Sequence, residues 1–277
     1  MFDAKAKIGN RLAVVAVMLT AASASSVSAA TLDEIKERGY MVVATEDDYK
    51  PFEFIEDGKP MGLDHELLAL LKEEAPFEIQ QQIIPWTGLL AGVSTGKYDV
   101  ALTAAVVTKE RYESLDFTMP ITEATYYFVK RTDDDSINGI ADLSGKTVGV
   151  QQGGASFAAL PELEAKLAET GGSLGEVVQY TSFPEAYQDL ATGRLDYVVN
   201  GIINLTSLTN EQSDRFKLGE RVAAEQFAAW AVAKGNDELL DYLNDFMAKI
   251  RADGTLYQLQ EKWLGTSFPE MPEEVIP

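Results

Sequence analysis

Arg111 is the residue whose chemistry reaches furthest. A guanidinium presents two parallel donors that match a carboxylate, and it stays protonated wherever proteins fold. Its plainer use is a surface ion pair with Glu113. Glu46 closes a β-branched run and reads as a strand-end carboxylate, while Tyr49 and Trp86 offer aromatic faces. Such faces pack in a core, or give a bound cation up to ~2 kcal/mol when desolvated. His65 is the only histidine and the chain has no cysteine. Thiolate zinc, haem-thiolate and iron–sulfur sites therefore lose their usual ligands, and triads built on several histidines are nearly excluded. No metal and no cofactor is expected, and His65 reads as a half-exposed helix flank. Gly149, Gly153 and Gly154 form neither a dinucleotide fingerprint nor a P-loop; they suit a tight turn that brings backbone donors near an anion. Asp133, Asp134 and Asp135 lack the spacing and glycine of a calcium loop and read as a solvated linker.

These residues sit in a chain that alternates short β-branched runs with amphipathic stretches, the pattern of α/β architecture with largely parallel sheets. Strands are expected at 41–46, 78–84, 99–104, 126–131, 146–151, 177–181, 197–200 and 227–233. Helices are expected at 64–74, 86–94, from the Gly153-Gly154 turn to about 167, and at 183–192, 237–251 and 255–264, with a helical turn at 108–112. The tail after Gly265 carries three prolines and three glutamates and reads as loose. Two successive β-α-β series predict two lobes. A parallel sheet is buried on both faces, so the first lobe needs the C-terminal helices as cover. The chain must then cross between lobes twice, near 130 and near 224, which makes a hinge over a crevice. The expected domains are a leader at 1–30, lobe 1 at 31–130 plus 224–277, and lobe 2 at 131–223.

The leader reading rests on Lys5, Lys7 and Arg11 followed by an apolar run, 12–22. About eleven residues fit a secretory signal core of ~7–15 and fall short of the ~18 that span a bilayer. Small residues then suit cleavage near Ala29 or Ala30, which predicts a periplasmic protein. The formal charge is −21, about −23 without the leader. A surface so acidic repels nucleic acid and anionic lipid, and is best read as a means of staying soluble.

Several ordered stretches carry a resemblance: YKPFEFIEDGKPMGLDHELL (49–68), PWTGLLAGVSTGKYDVALTA (85–104), TKERYESLDFTMP (108–120), DLSGKTVGVQQGG (142–154), GRLDYVV (193–199) and IRADGTLYQLQEKWLG (250–265). Together they resemble the periplasmic solute-binding proteins of polar amino-acid ABC transporters over essentially the whole mature chain. That resemblance implies the two-lobe, type II periplasmic binding protein fold with a two-strand hinge. It also implies ligand capture by closure and an inner-membrane ABC permease as partner; the protein is expected to be a monomer, and no enzyme, since Glu46 has no evident catalytic partner. Arg111 then matches the arginine that clamps a ligand carboxylate, helped by the backbone amides of Val106 and Ala155. Tyr49 and Trp86 match the rings that sandwich the ligand side chain, and Glu46 matches an acidic residue that reads its distal end.

The departures from the family pattern sharpen the expectation. Relatives bind the ligand's α-ammonium with hydroxyls at the positions of Ala104 and Val106 and an aspartate at that of Gly201, with Asn200 the neighbour should the alignment shift by one. Thr103 keeps a hydroxyl, but no carboxylate remains at that corner. Burying a primary ammonium without counter-charge costs several kcal/mol. The expected ligand is a small carboxylate without an ordinary free α-ammonium: a betaine, a cyclic imino or amidine acid, an opine-like compound or an organic acid. The alternatives are an ordinary polar amino acid, a dehydratase-like enzyme working through Glu46, or a sensory binding protein.

Overall fold

The computed structural model describes residues 29–276, so the expected leader and its cleavage site lie almost wholly outside the described residues. Two mixed sheets dominate. In the first, the strands run in the order Glu78–Ile84, Tyr40–Glu46, Val100–Val106, Phe227–Ala233, Leu115–Phe117, and the short Thr122–Glu123 also pairs with Phe227–Ala233. In the second the order is Val177–Tyr180, Val148–Gln151, Tyr197–Gly201, Tyr126–Arg131, Phe216–Arg221. Each sheet has a parallel trio followed by one strand running the other way, Phe227–Ala233 in the first and Tyr126–Arg131 in the second, with the outer strands antiparallel to it. The largely parallel sheets expected from the alternation are therefore mixed, because the chain enters each sheet from the opposite lobe and its first strand there runs backwards.

Sheet membership also moves the first boundary. Tyr126–Arg131 pairs with Tyr197–Gly201, so it belongs to the second lobe and the crossing falls at residues 124–125, not near 130. The return passage occupies residues 222–226. The two passages bond to each other: the Ala124 amide donates to the Gln226 carbonyl (2.7 Å), and the Val222 amide to that of Tyr126 (2.8 Å). Two adjacent extended segments tied in this way form a two-strand hinge.

Burial follows periodicity. Leu63–Glu74 buries Leu63, Leu67, Leu68 and Leu71, a stripe at helical spacing. Asp237–Ala252 and Thr255–Leu264 cover the first sheet, with Phe246 stacked on the buried Trp230 (6.1 Å between centroids, 14° between planes). The Trp230 indole donates to the Asp64 carboxyl (2.7 Å), beside a second buried carboxyl, Glu53. Burial pushes both carboxyls above their ordinary range, and each raises or is bonded to the other.

Three local expectations need correction, and one element had no expectation at all. The 86–94 helix begins only at Leu89, because Gly88 adopts the left-handed conformation (φ 87°) and Trp86 is left in the preceding turn. The tail is not loose: the Arg251 guanidinium donates to the carbonyls of Met271 (2.8 Å) and Pro272 (3.1 Å). Asp134 is no free linker, since it takes a hydrogen bond from the Ser136 amide and pairs with Arg131 (3.2 Å). A hairpin, Glu53–Glu56 with Lys59–Met61, went unread; Asp57 and Gly58 both carry positive φ (52° and 74°), the two-residue turn that suits the twist of paired strands.

Candidate functional site

The strands Tyr40–Glu46, Val100–Val106 and Val148–Gln151 all deliver their C-terminal ends to the crevice between the lobes, where open α/β sheets place ligand sites. From the first comes Glu46, from the second Ala104 and Val106, and from the third Gln151.

Arg111 lies on the short helix Lys109–Tyr112, whose N-cap hydroxyl, on Thr108, accepts from the Arg111 amide (3.3 Å). That cap turns the side chain back over the crevice. The guanidinium donates to the Val106 carbonyl (2.8 Å) and, across the crevice, to the Gly153 carbonyl (3.3 Å). Its carbon stands 5.0 Å from the centroid of the Trp86 ring. Among the described residues no carboxylate lies within ion-pair distance of it, and Glu113 is not its partner. The structure thus holds a charged, partly exposed fork against a ring, with only neutral acceptors.

Glu46 faces the same space, 2 % exposed, and its Oε1 accepts from Gln151 Nε2 (3.1 Å) of the other lobe. Burial pushes its pKa up to about 8; the Gln151 bond opposes this, nearby Asp47 and Asp48 add to it, and Arg111 lowers it. Glu46 therefore hovers between acid and carboxylate near neutrality and lacks a cation of its own. Tyr49, Trp86, Ala104, Val106, Ala155 and Asn200 also line the cavity. The Ala155 amide opens the helix Ala155–Ala158 and has no acceptor within it, as at every helix start.

Two expected contacts are not made. Thr103 is fully buried and spends its hydroxyl on Glu53, so it lies beneath the floor and not in the cavity. Gly201 is not among the lining residues, and a Cβ at position 201 would stand 3.1 Å from the Asn204 Oδ1. Asn204 in turn donates to the Lys50 carbonyl (2.7 Å), a bond that bridges the lobes. No carboxylate fills the corner the glycine vacates, so Glu46 is the sole acidic side chain among the described residues lining the cavity.

Four lining residues escaped the sequence reading, Tyr126, Gln151, Ser156 and Phe183, while Gly154 lines the cavity from the glycine turn the sequence marked. Gln151 carried a usable signal, since it ends a strand just before a glycine turn. Ser156 carried none; its hydroxyl is buried in the wall with no partner among the described residues. The enclosed volume is about 20 Å³, room for a single water. A solute enters this site by parting the lobes.

Comparisons with known proteins agree with this geometry. The family model described as bacterial extracellular solute-binding proteins, family 3, matches residues 41–266. The L-cystine-binding protein TcyJ of Escherichia coli (strain K12) is 31 % identical over 236 residues, 84 % of this chain and 86 % of that protein. Among solved structures, an ancestral arginine-binding protein bound to arginine superposes with a TM-score of 0.72 at 32 % identity, over 82 % of this chain and 99 % of the other. The ancestral amino acid-binding protein AncCDT-1, described as a precursor of cyclohexadienyl dehydratase, gives 0.74 at 28 % identity, over 84 % and 98 %.

Proposed function

The chain belongs to the bacterial extracellular solute-binding proteins of family 3, and from that premise we propose that it captures a carboxylate-bearing amino-acid derivative between its lobes. The observation that carries this is Arg111, a guanidinium stacked on Trp86 and bonded only to carbonyls at a closable crevice. A carboxylate arriving there replaces neutral acceptors with a charged, bidentate one. The lobes that close are 31–123 with 227–276, and 126–221, turning about the two hinge passages. The protein acts as a monomer in the periplasm, reached through the N-terminal leader, and hands its solute to an inner-membrane ABC permease. It is a carrier and not a catalyst: Glu46 has no second carboxylate or imidazole beside it in the cavity to complete an acid–base pair.

The ligand's nitrogen is substituted, as in an N-alkyl, cyclic or quaternary amine. Gly201 and the inward turn of Thr103 leave the usual ammonium corner without a charged or hydroxyl acceptor. Trp86, Tyr49 and the lone Glu46 suit a diffuse cation instead. A second reading has Glu46 itself receive the primary ammonium of an ordinary polar amino acid, such as the cystine or arginine named for the relatives; the uncompensated state of Glu46 favours it. Calorimetric titration with arginine, cystine, and their N-methylated and betaine counterparts separates the two. Tight binding of the unmodified acids with silent N-substituted analogues overturns the first reading, and prephenate left unconverted by the protein is expected under both.

A further inference from the structure

Beyond the Tyr49 and Phe183 rings the crevice continues. Those two side chains, stacked 6.3 Å apart with 22° between planes, stand between the Arg111 cavity and a second chamber of about 230 Å³. Tyr49, Phe183 and Asn200 line both spaces, so the chambers share a wall and are not unrelated hollows. The ring series continues through Tyr187, stacked 6.0 Å from Phe183, which gives the second chamber an aromatic side. One wall comes from the short strand Asp48–Tyr49 and Lys50 of the first lobe, and the other from the helices Phe183–Ala191 and Ile202–Glu211 of the second.

The volumes are lopsided. The Arg111 cavity holds about 20 Å³ and the annex about 230 Å³, room for several waters at ~30 Å³ each and for a polar head the size of an amino acid. Charge there has both signs: Asp48 and Glu211 line it with Lys50 and Arg215. Lys50 and Glu211 are 3.2 Å apart, across the lobe boundary, with both side chains about half exposed. Such a pair is worth little to stability and opens readily to a guest bearing the same two charges. The annex also offers a free donor. Tyr187 accepts from Asn200 Nδ2 (2.8 Å), and its own hydroxyl proton has no acceptor among the described residues.

Resting on the carboxylate-clamp reading above, we propose that the solute is two-headed: one carboxylate sits at Arg111, the linker passes the Tyr49–Phe183 rings, and a second, zwitterionic amino-acid head occupies the annex. Its ammonium meets Asp48 and Glu211, and its carboxylate meets Lys50, Arg215 and the Tyr187 hydroxyl. A compact, one-headed amino acid leaves the larger chamber unused and forgoes these contacts.

The test compares two-headed probes, L-cystine and N-(1-carboxyethyl)-L-lysine, with one-headed ones, L-cysteine and N-methyl-L-alanine, by calorimetry. At least one two-headed probe is expected to bind 100-fold or more tighter than either one-headed probe. Gln188, an exposed annex residue with no side-chain hydrogen bond among the described residues, is replaced in Gln188→Trp to fill the chamber. That variant should weaken the two-headed probe at least tenfold and leave one-headed binding and the unliganded melting temperature unchanged. Glu211→Lys, which inverts one charge at the rim, serves as a second variant and should act in the same direction. A one-headed probe binding as tightly as both two-headed ones overturns the proposal. So do absent binding of both two-headed probes and unaltered two-headed affinity in both variants. Arg111→Ala keeps the two readings apart. If it abolishes binding while both annex variants are neutral, only the annex fails; if it binds every probe as the wild type does, the clamp itself fails.

Discussion

Replacing Arg111 with Ala removes two hydrogen bonds, one ring contact and the sole fixed cation of the cavity. The fold should lose little. The stranded acceptors are the carbonyls of Val106 and Gly153, the latter exposed, and each net bond is worth ~1 kcal/mol. Affinity should lose more, because a ligand carboxylate drawn into the closed crevice then has no counter-charge. Truncating one partner of a buried charged pair costs ~2–5 kcal/mol. The guanidinium is partly open toward the groove beside Gly153 and Ala155, where water softens the loss, so the structure points to ~3 kcal/mol. At ~1.4 kcal/mol per decade this is roughly a 150-fold rise in Kd. Arg111→Lys keeps the charge but loses the fork, and should fall between wild type and alanine. Titration calorimetry on protein stripped by unfolding and refolding measures the Kd, and a melting curve reports the fold. Wild-type affinity in Arg111→Ala, with an unchanged melting temperature, would refute the clamp; an equal loss of fold and affinity would show that Arg111 is a structural brace.

Glu46 gives a pH prediction. Its pKa stands at about 8 in the folded chain against 4.5 ordinarily. The folded state therefore holds a proton that the unfolded state releases, so stability from this group is fullest below about pH 4.5 and is lost as pH rises toward 8. Relative to Glu46→Gln, the wild type should lose stability across that window, by at most ~5 kcal/mol, and parallel melting-temperature curves would contradict this. Gly201→Asp combined with Asn204→Ala, which clears the 3.1 Å contact, should raise affinity for unmodified α-amino acids tenfold or more by calorimetry. An unchanged affinity would show that the vacated corner is not where a ligand nitrogen lies. Trp230→Phe deprives the buried Asp64 of its donor and leaves a void, and should destabilise the fold by ~2–4 kcal/mol in urea titration.

The sequence made the strands and long helices legible because burial imposes period on them. The strands at 78–84, 126–131 and 227–233 and the helix at 255–264 fall where patterning put them. What escaped was whatever depends on partners distant in sequence. Helix Ile202–Glu211 buries Ile203, Leu205 and Leu208 but interleaves them with Asn and Thr, which reads as loop until the second sheet supplies a surface for it. The side on which Tyr126–Arg131 pairs is set by Tyr197–Gly201, some seventy residues later, so the lobe boundary was misplaced by about one strand. At the site, Arg111, Glu46, Tyr49 and Trp86 were readable through family motifs. Thr103 was misread because a strand alternates its faces, and with Ala104 toward the crevice its neighbour must point the other way.

That alternation bears on how closure is linked to occupancy. Thr103 and Ala104 lie on opposite faces of one strand, so the floor of the cavity is tied directly to the buried Glu53–Asp64 pair and, through Asp64, to Trp230. The first lobe thus presents Arg111 and Glu46 from a rigid base. The second lobe answers with Gly153 and Gln151, which bond to those same two residues. A ligand can shift the open–closed balance only by binding the closed form better than the open one. A carboxylate that displaces the Gly153 carbonyl from Arg111 gives up one bridge between lobes, so it favours closure only if the same ligand also reaches the second lobe. The Ser156 hydroxyl, without a partner among the described residues, and the Ala155 amide lie on that lobe, where under the proposed clamp they would receive it. Under the proposed clamp, discrimination then belongs to the second lobe: any small carboxylate can engage Arg111, but only one that also reaches Ala155 and Ser156 restores what closing costs.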